Sequence, residues 1–140
     1  MNKLSKKHCG ILALFTNGII VLVDILILCK VLPFNLVMGG KLQSYEQAIR
    51  MVTPSIVILG LLGVCTAISA NIIVCNKFKK ISNGVLAVFT VYFCLNFILN
   101  LLGETWFENI VANLLIIIQI SCFTYILKAN KREQKKQSKE

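Results

Sequence analysis

Residues 51–75 read MVTPSIVILGLLGVCTAISANIIVC, 25 residues without a charged side chain. About 20 residues of helix cross the hydrocarbon core of a bilayer, and a run of this length is too long for a strand and too unbroken for a loop. Pro54 falls in its first turn, where a missing backbone N–H does no damage. The run therefore predicts a membrane-spanning helix. Three more runs flank it, at 11–29 (broken by Thr16, Asn17 and Asp24), at about 85–102 and at 110–127. Backbone polar groups in lipid must be satisfied within the segment, so the expected fold is all-α, four transmembrane helices in an antiparallel bundle.

Composition supports the same reading. The chain has 140 residues, of which 56% are hydrophobic and 15% charged, with a mean hydropathy of +0.76. An ordinary soluble domain carries about 25% charged residues, and a body this small could not hide so much apolar surface. A typical soluble enzyme is excluded. Lys3, Lys6 and Lys7 ahead of the first run resemble the start of a signal peptide, but the run exceeds an h-region of about 7 to 15 residues and no A-x-A site follows. The first run is expected to be a retained helix.

Charge placement sets the expected orientation. With the N-terminus inside, the inner segments hold Lys3, Lys6, Lys7, Lys77, Lys79, Lys80, Lys128, Lys131, Arg132, Lys135, Lys136 and Lys139, whereas the outer ones hold only Lys30, Lys41 and Arg50. Twelve against three predicts cytoplasmic termini in a cell membrane. The net charge of +9 sits at the ends of apolar runs and in the tail, which speaks for topology signalling and against nucleic acid. The tail, 128–140, is expected to be a fraying helix end or disorder near anionic lipid headgroups.

The connections are small. Short turns at 76–82 and 103–108 make spans two, three and four antiparallel neighbours. The first outer loop, 31–50, contains a Gly39-Gly40 turn and a helix start with Ser44 as N-cap. No soluble domain is expected: residues 1–127 form one transmembrane unit.

No catalytic, cofactor or metal site is legible. Cys9, Cys29, Cys65, Cys75, Cys94 and Cys122 contain no C-x-x-C pair and read as small packing residues. His8 has no second ligand nearby and reinforces the positive N-terminus. Polar residues at depth are the one exception. An ionised Asp at the middle of a span costs about 2.5–3.5 kcal/mol on insertion scales, so Asp24 should face a partner or water. Asn96, Asn100 and Glu104 recur every four residues at the outer end of span three and form one stripe. Asp24, Asn96, Asn100 and Glu104 are thus the candidate intramembrane polar cluster. One reading is a proton or cation carrier in a pocket open to the outside. The other is interhelical glue, with Asp24 tying span one to span three. Gly60, Gly63, Ala67 and Ala70, continued by Asn71, make a small-residue stripe for close helix approach, Gln119 suggests an interhelical hydrogen bond, and Trp106 and Phe107 an interfacial anchor.

Leu32-Pro33-Phe34, Gly39-Gly40-Lys41, Asn96-x-x-x-Asn100 and Thr105-Trp106-Phe107-Glu108 together give the chain its layout. In these it resembles a family of small uncharacterised four-span bacterial integral membrane proteins. Phe34 and Met38 stand where tryptophan is common in such proteins. The resemblance implies the four-span topology and no activity. Two classes of function are expected from the residues: a non-enzymatic accessory protein that binds a membrane partner or its own copies through its spans, or a small transporter or channel working as an oligomer with Asp24 as carrier.

Overall fold

Residues in the left-handed region close the first two helices and decide where the chain turns. In a computed structural model describing residues 5–36, 41–102 and 105–137, α1 spans Lys6–Leu28, α2 Tyr45–Ser69, α3 Asn76–Leu101 and α4 Asn113–Gln137. A short 3-10 turn, Phe34–Leu36, follows α1, and a π-helical turn, Phe107–Ala112, leads into α4. The described chain is all-helical, and four helices are long and apolar enough to cross a membrane.

Lys30 (φ 59°) ends α1 and Asn71 (φ 57°) ends α2. At each, the next N–H reaches back to close the last turn: Val31 to the Leu26 carbonyl and Ile72 to the Ala67 carbonyl, both at 2.9 Å. This is the Schellman arrangement, for which Asn is a good second choice after Gly. It moves the expected boundaries. Span two, read as 51–75, begins earlier, where Ser44 Oγ accepts from the Gln47 N–H at 3.3 Å, and stops at Ser69, so Pro54 lies inside the helix and not in its first turn as expected. The chain reverses over 70–75, and the expected turn at 76–82 is instead the start of α3. Hydropathy could not show this, because Ile72, Ile73 and Val74 are as apolar as the helix they follow.

Helix α4 runs past the apolar segment, which ends at Leu127, to Gln137, so only the disordered alternative is set aside for 128–137. The Gly39-Gly40 turn, Met38, Gly103 and Glu104 lie outside the described residues.

The helices form a four-cornered antiparallel bundle. α1 packs on α2 and α4, α3 packs on α2 and α4, and α1 and α3 face each other across the diagonal. Leu59, Leu62, Leu86, Phe93, Ile116, Phe123 and Ile126 fill the centre, with the Phe93 and Phe123 rings 6.0 Å apart. A smaller cluster of Ile27, Ala48 and Val52 is covered by Leu32 and Phe34, whose ring meets Tyr45 edge-on at 4.8 Å. Close approach of α1 and α2 rests on Gly10, where an added Cβ would collide with Ala70 Cβ, and on Gly63, where it would lie 3.3 Å from Asn17 Nδ2. Gly60, expected in the same stripe, faces open space.

Candidate functional site

The bundle has two unlike ends. At the end away from the described termini, α1 carries Asp24, α2 carries Ser55, and α3 carries Asn96 and Asn100 one turn apart. All four line a cavity of about 480 Å³, together with Tyr92 and Lys41. The remaining wall is mostly aliphatic and aromatic, so a few polar groups face an otherwise apolar space, a usual make-up for small-molecule sites. A second cavity, of about 420 Å³, lies between α2 and α3 and shares Asp24, Ser55, Leu59 and Tyr92 with the first.

Asp24 is buried, and its Oδ2 accepts a hydrogen bond from Ser55 Oγ at 3.0 Å. The expected tie from Asp24 to Asn96 or Asn100 is therefore corrected: the carboxylate is held by span two. The bundle order explains this, since α2 is a neighbour of α1 whereas α3 lies across the diagonal with the cavity between. Three members of the expected cluster, Asp24, Asn96 and Asn100, line one space, and Glu104 lies outside the described residues.

Three buried amides lie outside the lining of this cavity. Asn17 Nδ2 donates to the Leu59 carbonyl at 2.9 Å, tying α1 to α2. Gln119 Nε2 donates to the Ala13 carbonyl at 3.1 Å, tying α4 to α1, and Asn113 Nδ2 donates to Asn109 at 3.3 Å. Each amide is thereby fixed by its nitrogen. Asn17 Oδ1, Asn113 Oδ1 and Gln119 Oε1 are buried and accept from no donor among the described residues. A buried amide oxygen without a partner costs about 1–3 kcal/mol, so these positions suit water or a cation.

The opposite end is closed by a polar clasp that the sequence reading missed. Asn130 Nδ2 donates to the Ser69 carbonyl at 3.0 Å and to Asn83 Oδ1 at 2.8 Å, while Lys6 Nζ donates to Asn130 Oδ1 at 2.9 Å. Lys6 also pairs with Glu133 at 2.7 Å, and Lys79 reaches the same carboxylate at 3.4 Å. Glu133 stands beyond the apolar run that ends at Leu127. There the hydrogen bond from Lys6, with the charges of Lys6 and Lys79, holds its carboxyl below the ordinary range. All four helices meet here. A spacing signal existed, Asn130 and Glu133 one turn apart, but it was masked by the surrounding Lys and Gln.

Cys9 on α1 and Cys122 on α4, far apart in sequence, are both buried free thiols. Among the described residues no three His, Cys, Asp or Glu side chains come together as metal ligands. Compared with known protein families, curated proteins and solved structures, the chain matches none. The site must be read from its own chemistry: one buried carboxylate with a single hydroxyl donor, two asparagines facing the same space, and an apolar wall.

Proposed function

We propose that the chain is a non-enzymatic multi-pass protein of the bacterial cytoplasmic membrane, with both termini cytoplasmic, and that it is a small cation carrier with Asp24 as the charge site. The observation that carries this is the convergence of Asp24, Ser55, Asn96 and Asn100 on one cavity. A carboxylate placed in a span against an insertion cost of about 2.5–3.5 kcal/mol marks a functional position, and here it has no basic partner within ion-pair distance among the described residues. The bias of twelve basic residues to three supports the orientation, which puts the cavity in the outer half. Leu62, Leu86, Phe123 and Ile126 block the route below the cavity, and the Lys6–Glu133 clasp lies beyond them. Passage therefore requires a rearrangement or a second copy of the chain.

A second reading rests on α3. Val88, Val91, Leu95, Ile98 and Leu99 leave one length of this helix uncovered. That face suits a membrane-protein partner, as an accessory protein would use it.

Proton carriage separates the readings. Proteoliposomes holding the parent protein and a pH-sensitive dye should discharge an imposed pH gradient, and Asp24→Asn, which keeps a hydrogen-bond acceptor for Ser55 but cannot titrate, should not. An Asn variant that discharges the gradient as fast as the parent removes Asp24 as carrier and leaves the accessory reading.

A further inference from the structure

Asp24 is reached from two sides that differ in charge. The central cavity includes Lys41, an exposed residue of the connection ahead of α2, so its described lining places a positive charge on that side. The cavity between α2 and α3 is lined by Met51, Pro54, Ile58, Val88 and Phe89 as well as Tyr92, and the one charged residue among its lining is Asp24 itself. Met51, Ile58 and Val88 are exposed on the outside of the bundle, where a spanning helix meets acyl chains. This side opening therefore joins the lipid phase to a carboxylate by an apolar wall. The Phe89 and Tyr92 rings, 5.9 Å apart, offer faces that attract organic cations.

We infer that a lipophilic organic cation reaches Asp24 from the bilayer, through the opening between α2 and α3, rather than through the mouth beside Lys41. The inference rests on the reading of Asp24 as a cation site and adds the ligand class and its route. Three features of the site select this chemistry. When ionised, the buried carboxylate favours positive charge beside it. The neighbouring amides of Asn96 and Asn100 take hydrogen bonds without adding charge. The apolar volume of about 480 Å³ beside them suits a body much larger than a metal ion. A free inorganic cation would leave most of that wall wet. An anion of equal size would find Lys41 at the mouth but Asp24 at the centre.

Tetraphenylphosphonium and tetraphenylborate share one shape and carry opposite charges, so the pair isolates the sign of the site. With purified protein in nanodiscs, equilibrium dialysis corrected for empty discs should show tetraphenylphosphonium bound at least about tenfold more tightly than tetraphenylborate. Asp24→Asn should abolish that preference. Lys41→Gln should leave tetraphenylphosphonium affinity unchanged or raised, whereas Ile58→Trp combined with Val88→Trp should weaken it about tenfold by filling the side opening. Should Asp24→Asn fail to fold, the parent protein still decides: dicyclohexylcarbodiimide modifies carboxyls in apolar surroundings, and tetraphenylphosphonium should protect Asp24 from it, as mapped by peptide mass. No preference for the cation, or no protection, overturns the ligand class. Loss of binding on Lys41→Gln with none on the double tryptophan variant overturns the route. An Asp24-dependent proton discharge that persists without tetraphenylphosphonium binding would refute this inference alone, whereas absence of both would take the carrier reading with it.

Discussion

Gly10 shows how much one missing methyl group decides in this chain. Its Cα sits where α1 presses against Ala70, and a Cβ there has no room. Gly10→Ala should therefore destabilise the protein by about 1–3 kcal/mol, the usual range for overpacking, despite the better helix propensity of Ala. Gly60→Ala and Gly84→Ala meet nothing within 4 Å and should be neutral or slightly stabilising in the same detergent melt. Equal losses at Gly10 and Gly60 would refute the close α1–α2 contact. The buried amides offer a second contrast. Asn130 uses both its nitrogen and its oxygen, so Asn130→Leu should cost about 1–3 kcal/mol by orphaning Asn83 Oδ1 and leaving the Lys6 ammonium with Glu133 alone. Gln119 makes one bond and carries an unpaired oxygen. Gln119→Met should stay within about 1 kcal/mol of the parent, because interhelical hydrogen bonds in bilayers average about 0.6 kcal/mol. A loss at Gln119 as large as at Asn130 would mean that its oxygen is occupied in the membrane.

Among the elements, the reversal between α2 and α3 depends most on a single position. Asn71 holds φ 57°, and a residue with a branched side chain pays about 1–2 kcal/mol or more there, whereas Gly pays nothing. Asn71→Gly should match or exceed the parent in thermal stability, and Asn71→Val should lower it by about 1–2 kcal/mol. Equal stability of both variants would show that α2 does not end at this residue. The same cap explains why hydropathy misplaced the boundary by six residues. Apolar content reports which residues tolerate lipid, while the sign of φ at one Asn decides where the helix stops.

For the whole molecule, both described termini lie at one end, beside the clasp of Lys6, Glu133 and Lys79. If that end is cytoplasmic, a membrane-impermeant thiol reagent should label Gln43→Cys in intact cells and spare Gln137→Cys, in a background without native cysteines. Labelling of the second would invert the topology. The clasp also gives a pH dependence of definite sign. Glu133 is held below its ordinary value of 4.5, so its contribution is present above that value and is lost as pH falls through the lower value of the folded protein. Melts of the parent from neutral pH into that acid range should lose more stability than melts of Glu133→Gln. The effect should be small, since the carboxylate is half exposed and such pairs are worth about 0–1 kcal/mol. Equal slopes would remove the clasp from the stability of this end.

The sequence by itself determined that this chain has four helices able to cross a membrane, because length and apolar content are local properties that no tertiary contact can supply or cancel. It also named Asp24, Asn96 and Asn100, since a polar side chain within an apolar run is conspicuous wherever the run packs. Tertiary structure alone decided what those side chains meet. Ser55 carries no signal of its own in span two, and only the order of helices around the bundle set it against Asp24 while holding α3 across the diagonal. The clasp of Lys6, Ser69, Asn83, Asn130 and Glu133 was hidden for the same reason: its members come from all four helices, and each alone reads as a solvated polar residue near the end of an apolar run. Which face of a helix turns inward depends on its neighbours' shapes, and a linear pattern carries that information only when the apolar and polar faces differ. In spans apolar on every side, they do not.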